Sequence, residues 1–214
     1  MLHKNIKIIR GKTPVLISAP HAAPIKKTVE GRTYVRLAED RVDELVEILC
    51  KELGAWGMFT QSKEPIAEWQ KEVYGIYKKT AKNIIEEQNI CLFLDVHGAK
   101  RSRPFYIDYD FVVPEVHAHD NHLEDLVRKH FSNHFPKHRL SKGFFRNING
   151  PGEKTLTYHI RKNLNMPALQ LEINKALKEN EETFEKTVKI LHSVIKDYEN
   201  SITRVQPKKE IIHR

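Results

Sequence analysis

The chain has 214 residues, of which 40% are apolar and 30% are charged, and its net charge at neutral pH is +8. This length and apolar content suit one domain with a sizeable buried core, which excludes an intrinsically disordered protein. No apolar run approaches the roughly 18 residues that a membrane-spanning helix needs, so we expect neither a membrane protein nor a membrane partner.

Hydrophobic periodicity predicts strands that alternate with helices along the chain. The predicted strands are Lys7–Arg10, Pro14–Ser18, Trp56–Thr60, Ile90–Asp95, Phe105–Phe111 and Ala168–Ile173. The predicted helices are Ala38–Leu53, Glu68–Gln88, His122–Phe135, Thr155–Asn163 and a last one that includes Phe184–Tyr198. A loop is predicted at Gly143–Gly152. This alternation is typical of an α/β domain with a largely parallel or mixed sheet. We expect one domain over residues 1–200 and a basic tail over 201–214.

The first residues and the cysteines favour a cytoplasmic protein, and the charge pattern does not favour a nucleic-acid partner. Basic residues are mixed with acidic ones and form no run of five like charges, which does not favour a nucleic-acid partner. The first twelve residues lack the apolar stretch of a secretory signal. Cys50 and Cys91 lie in apolar contexts, so both are predicted to be small core residues without a disulfide.

Three of the predicted strands end in side chains that bind metals or move protons. His21 follows the second strand. Asp95 ends the fourth strand, and His97 lies two residues beyond Asp95. Glu172 lies in the last strand. Because the carboxyl ends of parallel neighbours meet at one edge of a sheet, we expect these side chains to converge. Two histidines and a carboxylate are the ligands of a catalytic zinc site, which leaves a fourth position for water.

Each of these residues also has an ordinary structural interpretation. A lone histidine after a strand is more often structural, and Asp95 with His97 is equally consistent with a buried hydrogen bond. Glu172 carries more weight, because a buried carboxylate costs several kcal/mol unless it is paired or binds a metal. Gln170, Glu172 and Asn174 share one strand face, which is therefore polar; a solvated edge strand is the structural alternative.

A set of short motifs occurs in order along residues 14–178: SAPHA, an acidic helix start before Asp43-Glu44-Leu45, DVHG, a Gly-rich stretch before Thr157-Tyr158-His159, and LQLEIN. Together they resemble the N-formylglutamate amidohydrolase family, which is related in fold to zinc carboxypeptidases and aspartoacylase. The resemblance implies a three-layer α/β/α fold with a phosphorylase/hydrolase-like sheet. It also implies a zinc-dependent hydrolase that cleaves the C–N amide bond of a small N-acyl amino acid or a short peptide.

The resemblance assigns roles to individual residues. His21 and His97 match the two histidine ligands, and Glu172 matches the glutamate that takes a proton from the attacking water. The third ligand is expected to be Glu39, which stands four residues before an aspartate as in the family pattern. The alternatives for this ligand are Asp40 and Asp43. Sites of this composition also accept iron, cobalt or nickel in place of zinc.

Further residues are expected to bind the substrate or to support the site. A cation that stabilises the oxyanion or pairs with a substrate carboxylate is predicted among Arg101, Arg103 and Arg146, although each is also typical of a solvated surface. His159 and Asn174 are the other predicted substrate contacts. Asp95 and Gln170 are expected to support the ligand His97 and the base Glu172 through hydrogen bonds.

Two rival interpretations belong to other functional classes. One is a non-catalytic binding module that uses the basic charge of the chain. The other is an inactive family member that keeps its metal for structure. Glu172 discriminates between them and an enzyme, because only catalysis requires a carboxylate beside the metal.

Overall fold

The computed structural model describes residues 3–67, 69–112, 117, 119–149 and 155–205. Strands β1 to β9 follow one another in the chain as Ile6–Ile9, Val15–Ala19, Ile25–Val29, Arg32–Arg36, Trp56–Thr60, Leu92–Ala99, Ile107–Asp110, Leu140–Lys142 and Ala168–Asn174. Helices α1 to α6 are Val42–Leu53, Tyr74–Glu87, Asp120–Ser132, Phe144–Asn149, Leu156–Leu164 and Glu181–Val205. Among these residues no helix has the length and apolarity needed to cross a membrane.

Within the described residues, seven strands form one mixed sheet in the order β1-β5-β2-β6-β9-β7-β8. The central strands β5, β2, β6 and β9 are mutually parallel, and β8 is parallel to β7. The pairs β1–β5 and β7–β9 are antiparallel. The predicted mixed, largely parallel sheet is therefore confirmed. Strands β3 and β4 lie outside this sheet and form a separate antiparallel hairpin.

Alternate residues of the central strands face two different hydrophobic clusters, one on each side of the sheet. In β6, Leu92, Leu94 and Val96 pack with side chains of α1, α3 and α6. Phe93 points the other way and packs with side chains of α2 and α5. Because successive strand residues point to opposite faces, this alternation builds three layers, and the predicted α/β/α architecture is confirmed.

Helix α1 begins later than the sequence predicts, and this difference shapes the site. Its apolar residues recur at helical spacing and are buried, and Gly54 ends it with a φ of 66°. Arg41, just before the helix, has a φ of 52° in the left-handed region. The chain therefore turns sharply at residue 41, and Glu39 lies on a loop instead of in the predicted helix Ala38–Leu53.

Several other elements differ from the prediction. The segment predicted as a loop at Gly143–Gly152 contains helix α4, because Asp108 accepts hydrogen bonds from the N–H groups of Phe144 and Phe145 at its start. Residues 150–152 lie outside the described residues. Strands β3, β4 and β8 are not predicted, because they are only three to five residues long and most of their residues are polar. Helix α6 continues to Val205, past the predicted boundary at 200, and residues 206–214 lie outside the described part of the chain.

Candidate metal centre

The predicted ligands converge at the carboxyl end of three adjacent parallel strands. His21 lies two residues beyond β2, His97 lies near the end of β6, and Glu172 in β9 is in register with His97. Among the described residues, His21, Glu39 and His97 form a potential metal-binding group in which one ligand atom from each lies within 4.8 Å of the others. The structure thus brings together the three side chains that are predicted from the sequence to be ligands.

Main-chain contacts hold Glu39 in this group. Its N–H donates to the carbonyl oxygen of His21 at 2.9 Å, and its Oε2 accepts from the N–H of Gly98 at 2.7 Å. Its Oε1 is paired with Arg36. A Cβ on Gly98 would lie 2.9 Å from the Cβ of Glu39 and 2.7 Å from Nζ of Lys178. The glycine of the DVHG motif therefore lets Glu39 approach the strand.

The two alternative ligands point elsewhere. Asp40 is half exposed and pairs with Lys175 at 2.8 Å. Asp43 lies in the first turn of α1. Neither belongs to the potential metal-binding group found among the described residues, so the left-handed turn at Arg41 selects Glu39 from the three acids.

The ring of His97 lies between two carboxylates. Its Nδ1 is 3.7 Å from Oε2 of Glu39, and its Nε2 is 3.3 Å from Oδ2 of Asp95. Asp95 in turn accepts a hydrogen bond from the hydroxyl of Thr157 at 3.3 Å. A carboxylate on one ring nitrogen and an open ligand position at the other is the arrangement that orients histidines in metal sites. Asp95 therefore lies where the predicted support for His97 requires it.

The charges of this group are set by burial and by the two carboxylates. Burial lowers the pKa of His21 to about 3, so its ring is neutral near pH 7. Burial alone would raise the pKa of Glu39, but the hydrogen bond and charge of His97 outweigh it and lower that pKa to about 2. Burial alone would lower the pKa of His97, but Asp95 and Glu39 raise it well above its usual value. The group thus offers a carboxylate anion at Glu39 and a neutral imidazole at His21. At His97, a metal ion would compete with a proton for the ring nitrogen.

The donor set fits a divalent metal. The Nδ1 atom of His21 is buried and has no hydrogen-bond partner within the described residues, which leaves a ligand atom of a neutral ring unsatisfied. Ligand atoms of a tetrahedral zinc ion lie roughly 3.3 Å apart, given metal–ligand distances of about 2.0–2.1 Å. The 3.7 Å between His97 Nδ1 and Glu39 Oε2 is close to this value. Two imidazoles and one carboxylate also match the ligand chemistry that zinc prefers.

Glu172 is positioned beside this group as a titratable carboxyl. It is only 4% exposed, and its Oε1 accepts a hydrogen bond from the amide of Gln170 at 3.0 Å. Burial raises the pKa of Glu172 to about 7, even though His97 opposes this shift. A carboxyl with a pKa near 7 can both accept and release a proton at neutral pH. Gln170 therefore contacts Glu172 as expected of a supporting residue.

A cavity of about 570 Å³ opens onto the two histidines. Trp69 and Tyr74 form an aromatic part of its wall, and Trp69 begins a π-helical turn that precedes α2. Such turns often occur at functional sites. The cavity is lined by Pro20, His21, Lys27, Trp69, Tyr74, Lys78, Asp95, His97, Thr155 and Leu156.

The three arginines predicted to bind substrate do not line this cavity. The side chain of Arg101 is 72% exposed and pairs with Glu179 at 2.8 Å. Arg146 pairs with Asp110 at 3.1 Å. Arg103 lies over an aromatic ring near the start of α4. Their substrate-binding role stays a prediction that no contact with the cavity supports.

The other two predicted substrate contacts are engaged locally. The side-chain amide of Asn174 donates to the carbonyl of Phe105 at 2.7 Å, and its oxygen accepts from the N–H of Ala176 at 2.9 Å. These bonds connect the start of β7 to the end of β9. His159 lies on α5, where its Nδ1 is 2.7 Å from the amide nitrogen of Asn163. Neither residue lines the cavity.

The cations that do line the cavity are Lys27 and Lys78, and both are half-buried. Within the described residues neither lysine has a carboxylate partner. Sequence reasoning missed them because Lys27 belongs to the unpredicted strand β3 and Lys78 is one of several lysines on α2. No local signal distinguishes these two lysines from their exposed neighbours.

No protein-family model matches the sequence, and no curated protein matches it either. Solved structures do match. The structure of N-formylglutamate amidohydrolase from Ralstonia eutropha JMP134 has a TM-score of 0.64 at 12% identity, over 94% of this chain and 99% of that chain. The gene product Atu2144 from Agrobacterium tumefaciens has a TM-score of 0.60 at 14% identity, over 94% and 97% of the two chains.

A metallo-carboxypeptidase from Burkholderia cenocepacia is also similar, with a TM-score of 0.57 at 12% identity. The match covers 94% of this chain and 66% of that longer chain. The resemblance in fold to N-formylglutamate amidohydrolase and to metallo-carboxypeptidases, which the motifs indicated, is therefore confirmed. At these identities the likeness establishes the fold, and the chemistry has to be argued from the residues of the site.

Proposed function

We propose that this chain is a zinc-dependent amidohydrolase that cleaves the C–N amide bond of a small N-acyl amino acid or short peptide. The observation that carries the proposal is the group formed by His21, Glu39 and His97, whose ligand atoms lie within 4.8 Å of one another. The fold supports it, because solved hydrolases share this architecture. The buried carboxyl of Glu172 beside the group supplies what a purely structural metal site does not need.

His21, Glu39 and His97 would hold the metal, and Asp95 would orient the ring of His97 through Nε2. When bound there, zinc supplies a Lewis acid that polarises the amide carbonyl and lowers the pKa of a water molecule. Because Glu39 is anionic and His21 is neutral, the three ligands together neutralise only part of a divalent charge. A metal ion held by these ligands would keep a net positive charge, which would favour a developing oxyanion.

Glu172 moves the proton in this proposal. Its carboxylate accepts a proton from the attacking water as the new C–O bond forms, and then gives that proton to the nitrogen as the C–N bond breaks. The hydrogen bond from Gln170 fixes one carboxyl oxygen and leaves the other for the reacting groups. A pKa of about 7 makes both transfers accessible at neutral pH.

Lys27 and Lys78 bind the carboxylate of the substrate. Both lysines line the cavity beside the two histidines and form no ion pair with a carboxylate within the described residues, so a substrate carboxylate can pair with them. Trp69 and Tyr74 provide apolar wall area for the carbon chain between the carboxylate and the amide. The cavity volume of about 570 Å³ suits a small acyl amino acid.

The first experiment measures metal content and hydrolysis together. We expect about one zinc per chain in the wild type and none in the His21→Ala/His97→Ala double variant. A set of N-formyl and N-acetyl amino acids should be hydrolysed by the wild type and not by the variant. A wild type that contains no metal and takes up no added zinc contradicts the proposal, and salt-dependent nucleic-acid binding in its place would favour a basic binding module.

Glu172→Gln separates an enzyme from an inactive metal-binding protein. The variant should bind zinc normally and lose about 10²- to 10⁴-fold in kcat/KM, because it keeps the shape of the side chain and removes the proton acceptor. Glu124→Gln makes the same chemical change at a half-buried carboxylate on α3, outside the cavity, and should retain activity. Full turnover by Glu172→Gln would contradict the assignment of the base.

A further inference from the structure

The hairpin of β3 and β4, which we call the basic hairpin (residues 25–36), is joined to the candidate site at its base. Ile25 is buried and bridges to Ile66, which anchors the first strand to the body of the protein. Lys27 lines the cavity, and Arg36 pairs with the proposed ligand Glu39. The hairpin carries four cationic side chains and one carboxylate. The wall of the cavity therefore continues onto a positively charged ribbon.

The strand register determines which side chains share the face that continues the cavity wall. Residues directly opposite one another in an antiparallel pair point to the same face. Ile25 is opposite Arg36, Lys27 is opposite Tyr34, and position 29 is opposite Arg32. One face of the hairpin therefore carries one cation at each of three successive same-face residue pairs, which we call levels. These cations are Arg36, Lys27 and Arg32, and Tyr34 lies beside Lys27. We call this side of the ribbon the site face.

The spacing of these cations matches an extended peptide. Successive same-face positions along a strand are about 7 Å apart, so the three levels span about 14 Å from Arg36 to Arg32. Alternate side chains of an extended peptide have the same spacing of about 7 Å. A peptide lying along the site face would place one carboxylate at each level through its first, third and fifth residues, a length of about five residues.

The outer part of the basic hairpin is exposed and partly apolar. Tyr34 is 48% exposed, Val35 46% and Leu37 78%, and among the described residues these are the exposed large apolar side chains. They cluster on the second strand of the hairpin and directly after it. By the strand register, Tyr34 lies on the site face beside Lys27, whereas Val35 is opposite Lys26 on the other face, so a peptide on the site face would contact Tyr34.

We propose that the basic hairpin extends the active site outward and binds an acidic peptide, so that the preferred substrate is a chain of carboxylate-bearing residues. The proposal rests on the proposed function, because that function places the amide to be cleaved at the inner end of the site face. A peptide is favoured over a nucleic acid because the cations lead through Lys27 directly into the cavity, where the proposed function places an amide bond.

The binding test uses fluorescein-labelled hexaglutamate and the zinc-loaded Glu172→Gln protein, which should bind without turnover. Arg32→Gln, combined with that change, should weaken binding about 5- to 10-fold, because a charged hydrogen bond to the peptide is lost. Lys26→Gln is the matched control, since it removes one positive charge from the opposite face of the same ribbon. It should change binding less than about twofold.

Two outcomes of the binding test would overturn the proposal. Equal weakening by Arg32→Gln and Lys26→Gln would mean general attraction to a positive protein. Tighter binding of a twelve-nucleotide oligothymidylate than of the peptide at equal ionic strength, with the same dependence on Arg32, would identify a nucleic-acid surface.

The kinetic test uses N-acetylated glutamate peptides of two to eight residues with the catalytically intact protein. We expect kcat/KM to rise with length up to about five residues and then to stay constant, because the site face spans about five residues. Arg32→Gln should flatten this rise, and Lys26→Gln should not. Rates that are independent of length, with normal hydrolysis of acyl amino acids, would refute the extended site and leave the proposed function intact. Peptide binding that depends on Arg32 without any hydrolysis would refute the proposed function and leave the peptide surface intact.

Discussion

The ion pair of Arg161 with Asp120 and the candidate metal centre are both buried and charged, and they differ in how their charges are balanced. Arg161 on α5 donates from both terminal nitrogens to the two oxygens of Asp120 on α3, at 2.9 and 2.6 Å. A third bond reaches the carbonyl of Ala168 at 3.2 Å. In the candidate metal centre, the Nδ1 of His21 is equally buried and has no hydrogen-bond partner within the described residues.

The difference separates a structural cluster from a candidate functional one. A bidentate ion pair satisfies its own charges and connects two helices, so it needs no further component. A buried ligand atom without a partner costs free energy unless another group completes it. Burial and charge alone therefore do not identify a metal site. A buried ligand atom without a partner counts only where it belongs to a set of ligands, as His21 does with Glu39 and His97.

The largest effect is expected at the structural pair. Arg161→Met leaves Asp120 buried without its partner and should lower the free energy of unfolding by about 3–5 kcal/mol, measured by urea denaturation. Adding Asp120→Asn removes the stranded charge and should restore part of the loss. Zinc stoichiometry should be unchanged in both proteins. A loss of less than about 1 kcal/mol in the free energy of unfolding would mean that the ion pair of Arg161 with Asp120 is not an important structural contact.

Metal addition tests the other cluster. At a free zinc concentration about 100 times Kd, the wild type should gain about 2.7 kcal/mol in the free energy of unfolding, because zinc binds only the folded chain at this site. His21→Ala should gain nothing, while its metal-free stability stays within about 1 kcal/mol of the metal-free wild type. A large metal-free loss in His21→Ala would make this histidine structural.

A smaller effect is expected at the carboxylate that orients His97. Asp95→Asn keeps the shape of the side chain but removes the charge 3.3 Å from Nε2, and should weaken zinc binding about 10- to 100-fold. Competition with a chelator measures this change. Glu124→Gln serves as the control for loss of one negative charge and should leave zinc affinity unaltered. Unchanged affinity in Asp95→Asn would show that the ring of His97 is oriented by other contacts.

The smallest effect is expected on the surface between α3 and α6. A hydrogen bond with His130 lowers the pKa of Asp197 below its usual value of 3.8. A lowered pKa stabilises the folded state above the unfolded pKa, and this stabilisation disappears as the pH falls through the folded value. Because Asp197 is substantially exposed, Asp197→Asn should cost no more than about 0.5 kcal/mol at pH 6 and nothing near pH 2. A larger cost that persists at low pH would contradict this surface assignment.

The part of the site that lies on strands could be predicted from the sequence, because the alternation of side chains along a strand depends only on neighbouring residues. Alternation in β6 puts Asp95 and His97 on the face of Phe93, and alternation in β9 puts Gln170 on the face of Glu172. Both strands change from apolar to polar along this face toward their carboxyl ends. Neighbouring parallel strands then bring these polar ends together without any further information.

The part of the site that lies on loops depends on contacts between residues that are far apart along the chain. Asp40 and Asp43 are as plausible as Glu39 by composition, and the choice between them comes from the left-handed turn at Arg41 and the missing Cβ of Gly98. The sequence likewise points to Arg101 and Arg103, which follow the DVHG motif, and to Arg146 as the cations of the site. The folded chain instead brings Lys27 and Lys78 to the cavity from two other elements.

The sequence by itself determined the α/β architecture, the polar ends of the central strands and the residue types of the candidate metal centre. These follow from hydrophobic periodicity and side-chain alternation, which act over a few neighbouring residues. Only the tertiary structure decided which acid joins the two histidines, which cations face the cavity and where the basic hairpin lies. Those choices depend on backbone turns and on pairings between segments far apart in the chain, for which a local pattern carries no signal.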